Sequence, residues 1–435
     1  MEGKDGKSSG NRDRFRDRVR TWFSCVPMLG WLIGALVAVI LEHLVGEPLT
    51  GPLGLPKIPV LFGFVTVLKK PHLIPGILIF LFLIYVLPVS LVARLCASPA
   101  NAIADRFLKL PLWISAVFHL ALFYAILHIW CDISAYRVLT LKLTLIAVML
   151  TLSLNVINGY MGEFSCSHPG FMALGAYSAS IFTLVLFVDD KLFGPAWLPA
   201  ALGPFMFPIA LILGGLVAAV GALVVAIPSF RTRGDYLAII SLAFLFIVKS
   251  LIENLELVGG PRGLSSQPNW SNLPTVFLWT VLCVWVINNF VRSTLGKALN
   301  AVRDDEMAAD AMTVNTRRTK IVAFMFAAFW AGVAGGLFAH VLRYVNPGTF
   351  GIQKLAEVLA MVYLGGLNSV VGSIVGAVGL NLLSEALRPL EIFKWIIIPL
   401  MLILVMVYRP TGLIAFREFD VHNLLKPKMR TEKEV

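Results

Sequence analysis

Between residues 159 and 177 the chain reads GYMGEFSCSHPGFMALGAY, a polar patch between two long apolar runs. It holds Glu163, Ser165, Cys166, Ser167, His168, Pro169 and the glycines Gly159, Gly162, Gly170 and Gly175. A nucleophile would take Ser165 or Ser167 with His168 as base. That chemistry needs a third group to orient the base, and the stretch offers none. A metal site would start from His168 and Cys166, but no His or carboxylate stands three or four residues beyond His168, so the ligand set stays short. The third reading is conformational. Glycines and a proline cut a helix into pieces, and irregular backbone at membrane depth survives only where it is buried in protein or lines a wet cavity. Broken helices of this kind line substrate sites in transporters. On that reading Asn155, Asn158, Ser165, Ser167 and His168 are candidate pathway residues. An inter-helix turn whose polar groups cap helix ends fits the same residues as well.

The elements that must position this patch are membrane helices. Of 435 residues 58% are hydrophobic and only 14% are charged, with a mean hydropathy of +0.82. A soluble protein carries roughly a quarter charged residues, so the solvent for this much apolar surface is lipid. The fold class is an all-α polytopic membrane protein. Twelve apolar segments stand out, at 26–44, 74–95, 111–130, 138–158, 170–188, 205–227, 237–251, 275–291, 321–342, 355–364, 371–386 and 395–408. Several are shorter than the roughly twenty residues of a straight span, in keeping with discontinuous helices. The segment at 26–44 follows a long charged region and has no A-x-A site after it, so it reads as an uncleaved anchor.

The net charge is +11. Its distribution excludes a nucleic-acid surface: seven of the 36 Lys and Arg precede Thr21, six fall between Arg292 and Lys320, and six follow Tyr408. Twelve spans with both termini cytoplasmic place all three clusters inside, as the positive-inside rule requires. The five cysteines (Cys25, Cys96, Cys131, Cys166 and Cys283) are odd in number and lack paired spacing, and read as free thiols.

Other motifs narrow the class. No GxxxxGK[ST] is present, so the chain does not carry its own phosphate loop. Lys142, Lys249, Glu253 and Glu357 sit near span ends, where long side chains reach the interface, and no ladder of carboxylates crosses the spans as a proton-driven carrier would need. Gly332 and Gly336, and again Gly372 and Gly376, have the spacing that lets membrane helices approach closely. The inner loop at 293–320, STLGKALNAVRDDEMAADAMTVNTRRTK, reads as one amphipathic helix with Ala298, Ala301, Val302, Ala308, Ala309 and Met312 on one face. Its consecutive acids Asp304, Asp305 and Glu306 suit an anionic membrane poorly and favour docking to a cytoplasmic protein.

Together these motifs resemble one family, the LivM-type permeases of bacterial branched-chain amino acid ABC importers. The stretch NVINGYMGEFSCSHPGFMALGAY looks like the family's Gly-x-x-Gly, Ser-x-x-His and Gly-Ala-Tyr series, and Arg233 to Ile239 is similar to its Arg-Gly-Asp-Tyr-Leu-Ala-Ile signature. VGGPRGL, GKALNAVRDDEMAADAM, LAMVYLGGLNSVVGSIVGA and YRPTGLIAF follow in the family's order. Three positions depart from it: Ser167, Thr313 and Asn368 stand where the family usually has Gly.

The resemblance implies a permease subunit for leucine, isoleucine and valine, with no enzymatic activity and no cofactor of its own. Related permeases for urea and short amides share much of the pattern. The implied partners are a second, LivH-like permease, two LivG/LivF-like ATP-binding subunits, a periplasmic substrate-binding protein and the lipid of the inner membrane. The loop at 293–320 would be the coupling loop, with Arg303, Asp304, Asp305, Glu306 and Ala309 as the ATPase contact. The implied organisation is a basic cytoplasmic tail (1–25), an N-terminal membrane extension of two spans (26–110), a ten-span permease core (111–416) and a second cytoplasmic tail (417–435). A secondary carrier working alone would need the missing carboxylates, and a membrane enzyme would have to use the cluster around His168.

Overall fold

The computed structural model describes residues 23, 25–59, 61–109, 111–189, 193–230, 236–390, 393–409, 411–414 and 419–427. Arg233, Gly234 and Asp235 of the Arg-Gly-Asp-Tyr-Leu signature and the basic N-terminal tail lie outside these residues. Nearly all regular structure is helical. Nine helices among the described residues are long and apolar enough to cross a membrane. They are α1 (Met28–Thr50), α2 (Pro71–Leu95), α3 (Leu112–Asp132), α4 (Ala135–Met161), α5 (His168–Phe187), α6 (Ala200–Ser229), α7 (Tyr236–Asn254), α8 (Leu273–Arg292) and α11 (Thr316–Leu342). Between α8 and α11 lie the short α9 (Thr294–Asp304) and α10 (Glu306–Ala311). Three further apolar helices follow: α12 (Ile352–Gly365), α13 (Val370–Ala386) and α14 (Lys394–Tyr408). Every one of the twelve apolar segments is therefore helical, but the last three are shorter than a full crossing.

Exposed side chains show what solvent these helices require. Along α6, Phe205, Ile209, Leu213, Leu216, Val220 and Val224 are all exposed, an apolar stripe at helical spacing that suits a hydrocarbon surround.

The chain forms two compact units, Met1–Arg137 with Asp420–Val435, and Val138–Phe419. In the first, α1 packs on α2 and α3. Pro88 cannot donate to the helical ladder of α2, and the turn just before it, Phe82–Val86, widens into π geometry. Buried in this unit is a charged cluster. An Arg137 Nη2 donates to Glu42 Oε1 at 2.8 Å and to the Pro59 carbonyl at 2.9 Å, while its guanidinium lies 4.8 Å from the Trp130 ring centre. Tyr85 donates its hydroxyl to the other oxygen of Glu42.

In the second unit α5, α6 and α11 form the packed centre. Gly175 of α5 meets the backbone of Gly332 on α11 so closely that no Cβ fits, the small-residue contact that membrane helices use in place of a hydrophobic driving force. Gly376 of α13 touches the backbone of Met361 and Gly365 on α12 in the same way. A short antiparallel pair, β1 (Leu264–Ser265) with β2 (Tyr344–Val345), ties the VGGPRGL turn to the segment after α11.

Candidate functional site: the broken helix and the inner loop

The last regular turn of α4 ends at Asn155, which is buried and fully engaged. Its Nδ2 donates to the Ser369 carbonyl at 3.1 Å and to Ser373 Oγ at 2.6 Å, and its Oδ1 accepts from the Asn368 amide at 3.2 Å. Ser369 in turn caps α13, accepting from the Gly372 amide at 3.0 Å. One side chain thus joins α4 to the start of α13.

Beyond Asn155 the helix opens into a π-turn over Val156–Met161, and Gly162 leaves it with φ +76°. That left-handed geometry is cheap only for glycine, and the Arg303 side chain occupies the space a Cβ would need. The chain then surfaces at Glu163 and Phe164 and dives again. Ser165, Cys166, Ser167 and His168 are buried. Here the polar groups close on one another: Ser165 Oγ lies 2.9 Å from Ser167 Oγ, the Ser165 amide donates to Asn158 Oδ1 at 3.3 Å, and the Cys166 amide donates to Ser241 Oγ at 2.8 Å. Burial raises the Cys166 thiol above its ordinary value, so it stays protonated.

His168 opens α5. Its Nε2 lies 3.2 Å from Ser153 Oγ, whose hydroxyl donates to the Leu150 carbonyl at 2.9 Å. Ser153 Oγ thus lies between the Leu150 carbonyl and the imidazole, and the direction of its bond to Nε2 follows the His168 tautomer. Ser153 is the wrong partner for activating Ser165 or Ser167. Asn155, Asn158, Ser165, Ser167 and His168 do come together around the end of α4, and all five are buried.

The inner loop corrects one sequence expectation. It is two helices, because Asp305 adopts extended backbone (φ −158°, ψ 108°) and caps the second, its Oδ1 accepting from the Met307 and Ala308 amides at 2.9 and 3.0 Å. An N-cap carboxylate competes with helix continuation and wins here. The expected single apolar face is therefore split. Val302 and Ala309 are buried, while Ala301, Ala308 and Met312 are exposed. Asp304, Asp305 and Glu306 are exposed, and so are the apolar Leu295, Met307 and Met312.

Two links run between this loop and the broken helix. Arg303 packs on Gly162, donates to the Gly159 carbonyl at 3.4 Å and pairs with Asp304 at 2.8 Å. Lys320, near the start of α11, places its Nζ 2.8 Å from Glu163 and 2.9 Å from Glu306. The residues at the break and those of the loop form one connected polar structure.

A family model described as branched-chain amino acid transport system / permease component matches residues 136–406, which take in the broken helix, both inner-loop helices and α11 to α13. The chain belongs to that family. It is 33% identical to the high-affinity branched-chain amino acid transport system permease protein LivM of Escherichia coli (strain K12) over 307 residues, 62% of this chain and 68% of that one. The LivM protein of Salmonella typhimurium gives the same identity and coverage. The permease protein BraD of Pseudomonas aeruginosa is 27% identical over 154 residues, 33% of this chain and 48% of its own. No solved structure matches the chain.

Family membership and backbone geometry meet at the three departures. Thr313 and Asn368 have φ +67° and +55°, the left-handed region where glycine is the default, so the glycines that the resemblance implies at these two positions would suit the backbone. Ser167 has φ −80°, and a side chain there costs nothing in the backbone. The sequence reading missed Glu163, Lys320 and the pair Glu42–Arg137. A lone charge at a helix end carries no sign of its partner, although an Arg at the head of an apolar run and a Glu inside another were both visible.

Proposed function

We propose that this chain is a transmembrane permease subunit of an ATP-driven importer for branched-chain amino acids in the bacterial inner membrane. It forms half of the translocation path, with a second, LivH-like permease as the other half. Two LivG/LivF-like ATP-binding subunits hydrolyse ATP beneath it, and a periplasmic binding protein delivers the amino acid, so the chain itself is non-catalytic. The observation that carries this reading is the family match over 136–406, which contains the broken helix and the inner loop.

The organisation that goes with it is twelve apolar segments with both termini cytoplasmic: a basic tail (1–25), an N-terminal extension (26–110), a core (111–416) and a final tail (417–435). The charge clusters support that orientation. The loop at 293–320 is the coupling loop. Asp304, Asp305 and Glu306 offer acidic contacts to the ATPases beside the exposed Met307 and Met312, Ala309 packs beneath them, and Arg303 passes the motion inward. ATP-driven closure of the ATPases moves the loop, and Arg303 and Lys320 carry that movement to the end of α4. Asn155, Asn158, Ser165, Ser167 and His168 then open toward the path.

The test is purification and reconstitution. The tagged chain is expressed with its chromosomal neighbours, extracted in mild detergent and reconstituted with the binding protein. Two P-loop ATPases and a second permease co-purify, and the vesicles take up leucine only with ATP. A chain that purifies alone and still moves solute without ATP overturns the reading.

A further inference from the structure

A crevice of about 340 Å³ opens within the second unit, between the starts of α6 and α8 and the ring of Trp270. Three aromatic rings (Phe207, Trp270 and Trp279) and the prolines Pro208 and Pro274 are among its walls, and no charged residue stands among its described lining residues. The walls are held in place. The Trp270 ring fills the space that a Cβ on Gly203 would need, and it meets Phe187 and Phe207 at centroid distances of 5.3 and 6.2 Å. A hollow with such walls does not suit water, which needs several polar partners. Left empty, it forfeits the dispersion contacts of a filled interior.

Polarity is graded along α8. Asn272, just ahead of the helix, and Thr275 supply a polar edge, and Leu278 and Trp279, one turn deeper, supply an apolar floor. Trp197 and Trp270 precede α6 and α8, a position at which tryptophans mark the level where membrane meets water. Phe205, which begins the exposed stripe of α6, neighbours the lining residue Pro204, and Leu278 is itself exposed. The crevice is therefore continuous with the apolar surface that hydrocarbon covers. A molecule that fits has a polar end at Asn272 and a flexible apolar part that reaches Trp279. An amino acid finds no charge there for its carboxylate or its ammonium.

We propose that one phospholipid places an acyl chain in this crevice, with its headgroup at the level of Asn272. The orientation with both termini cytoplasmic puts this lipid in the outer leaflet, and the site itself stands independently of the importer reading. Trp270 braces Phe207, and Phe207 lies 4.7 Å from the His340 ring of α11. The bound chain thus supports this end of the packed centre of α5, α6 and α11.

Bromine on an acyl chain quenches tryptophan fluorescence on contact. The full chain, with the subunits that co-purify, is placed in nanodiscs of phosphatidylcholine with plain or brominated acyl chains. The emission of Trp279 is the difference between the unaltered protein and Trp279→Phe. Trp279 is buried, so lipid at the outer surface leaves it bright, and loss of most of its emission in brominated lipid is the expected result. Thr275→Phe sets a ring one turn from Trp279 on the same helix face, fills the crevice and restores that emission. In native mass spectra after delipidation, the unaltered chain keeps one phospholipid more than Thr275→Phe. Undiminished Trp279 emission, as a partner permease's side chain seated in the crevice would give, overturns the proposal, and so does an equal lipid count in the two proteins. Exchange of phosphatidylcholine for phosphatidylglycerol leaves retention unchanged, because no charge lines the site. A marked preference for either headgroup overturns recognition through the acyl chain. None of these readings uses transport, so a failure of the importer reading is seen separately.

Discussion

Lys320 Nζ stands 2.8 Å from Glu163 Oε1, joining the start of α11 to the turn that follows the break in α4. The same ammonium reaches Glu306 of the inner loop at 2.9 Å. One cation therefore closes a three-way junction between a long helix, the broken helix and the loop proposed to meet the ATPases.

Lys320→Met removes both pairs and leaves Glu163 without its cation. Glu306 is largely exposed, so the stability loss is modest, about 1–2 kcal/mol. Transport suffers more than stability, because the junction links loop to helix. The expected result is normal co-purification of the ATPases with ATP hydrolysis no longer matched to uptake. Measuring leucine moved per ATP hydrolysed checks this, and an unchanged ratio rejects the junction as a link.

Asp305 has two separable roles, cap and charge. Asp305→Asn keeps a side-chain oxygen for the Met307 and Ala308 amides and loses the charge. Asp305→Lys loses both, at about 1 kcal/mol for the cap, and puts the wrong sign on the docking face. Asp305→Lys is expected to lose ATPase co-purification and Asp305→Asn to retain most of it. Retention in Asp305→Lys would show that the loop docks elsewhere.

Arg137→Met strands the Glu42 carboxylate in an apolar surround. Breaking a buried pair from one side costs about 3–5 kcal/mol. The first unit should unfold at lower temperature or become open to protease. The double variant Glu42→Gln with Arg137→Met removes both charges and should recover much of the loss. Thermal unfolding followed by limited proteolysis within residues 28–137 distinguishes the two.

Asn155→Leu removes three hydrogen bonds, at about 1 kcal/mol for each bond lost; the Asn368 amide loses its Asn155 acceptor, while the Ser369 carbonyl keeps the Ser373 amide and hydroxyl as donors. Lower thermal stability in detergent is the expected result, with leucine and valine uptake reduced in equal proportion. A change in preference between the two solutes would instead mark Asn155 as a substrate contact.

Much of this was written in local pattern. The twelve apolar runs are helices because their periodicity and length leave the backbone no cheaper way to satisfy its polar groups in hydrocarbon. The break at 159–168 was visible as glycines, a proline and polar residues inside an apolar context. The split of the inner loop was not, since DDE reads as three helical surface residues until Asp305 is seen capping. The positive φ of Thr313 and Asn368 was marked only by the departure from the glycine that the resemblance implied.

By itself, the sequence determined the solvent, the helical class, the family and the position of the break, all properties that a run of neighbouring residues carries. Tertiary structure alone decided the partners. Asn155 bonds Ser369 across 214 positions, Lys320 bonds Glu163 across 157, and Arg137 bonds Glu42 across 95. Hydrophobic pattern sets which residues face inward. Which inward groups then meet depends on how closely two helices approach, and at α5 and α11 that is set by Gly175 against Gly332, a contact no local stretch contains.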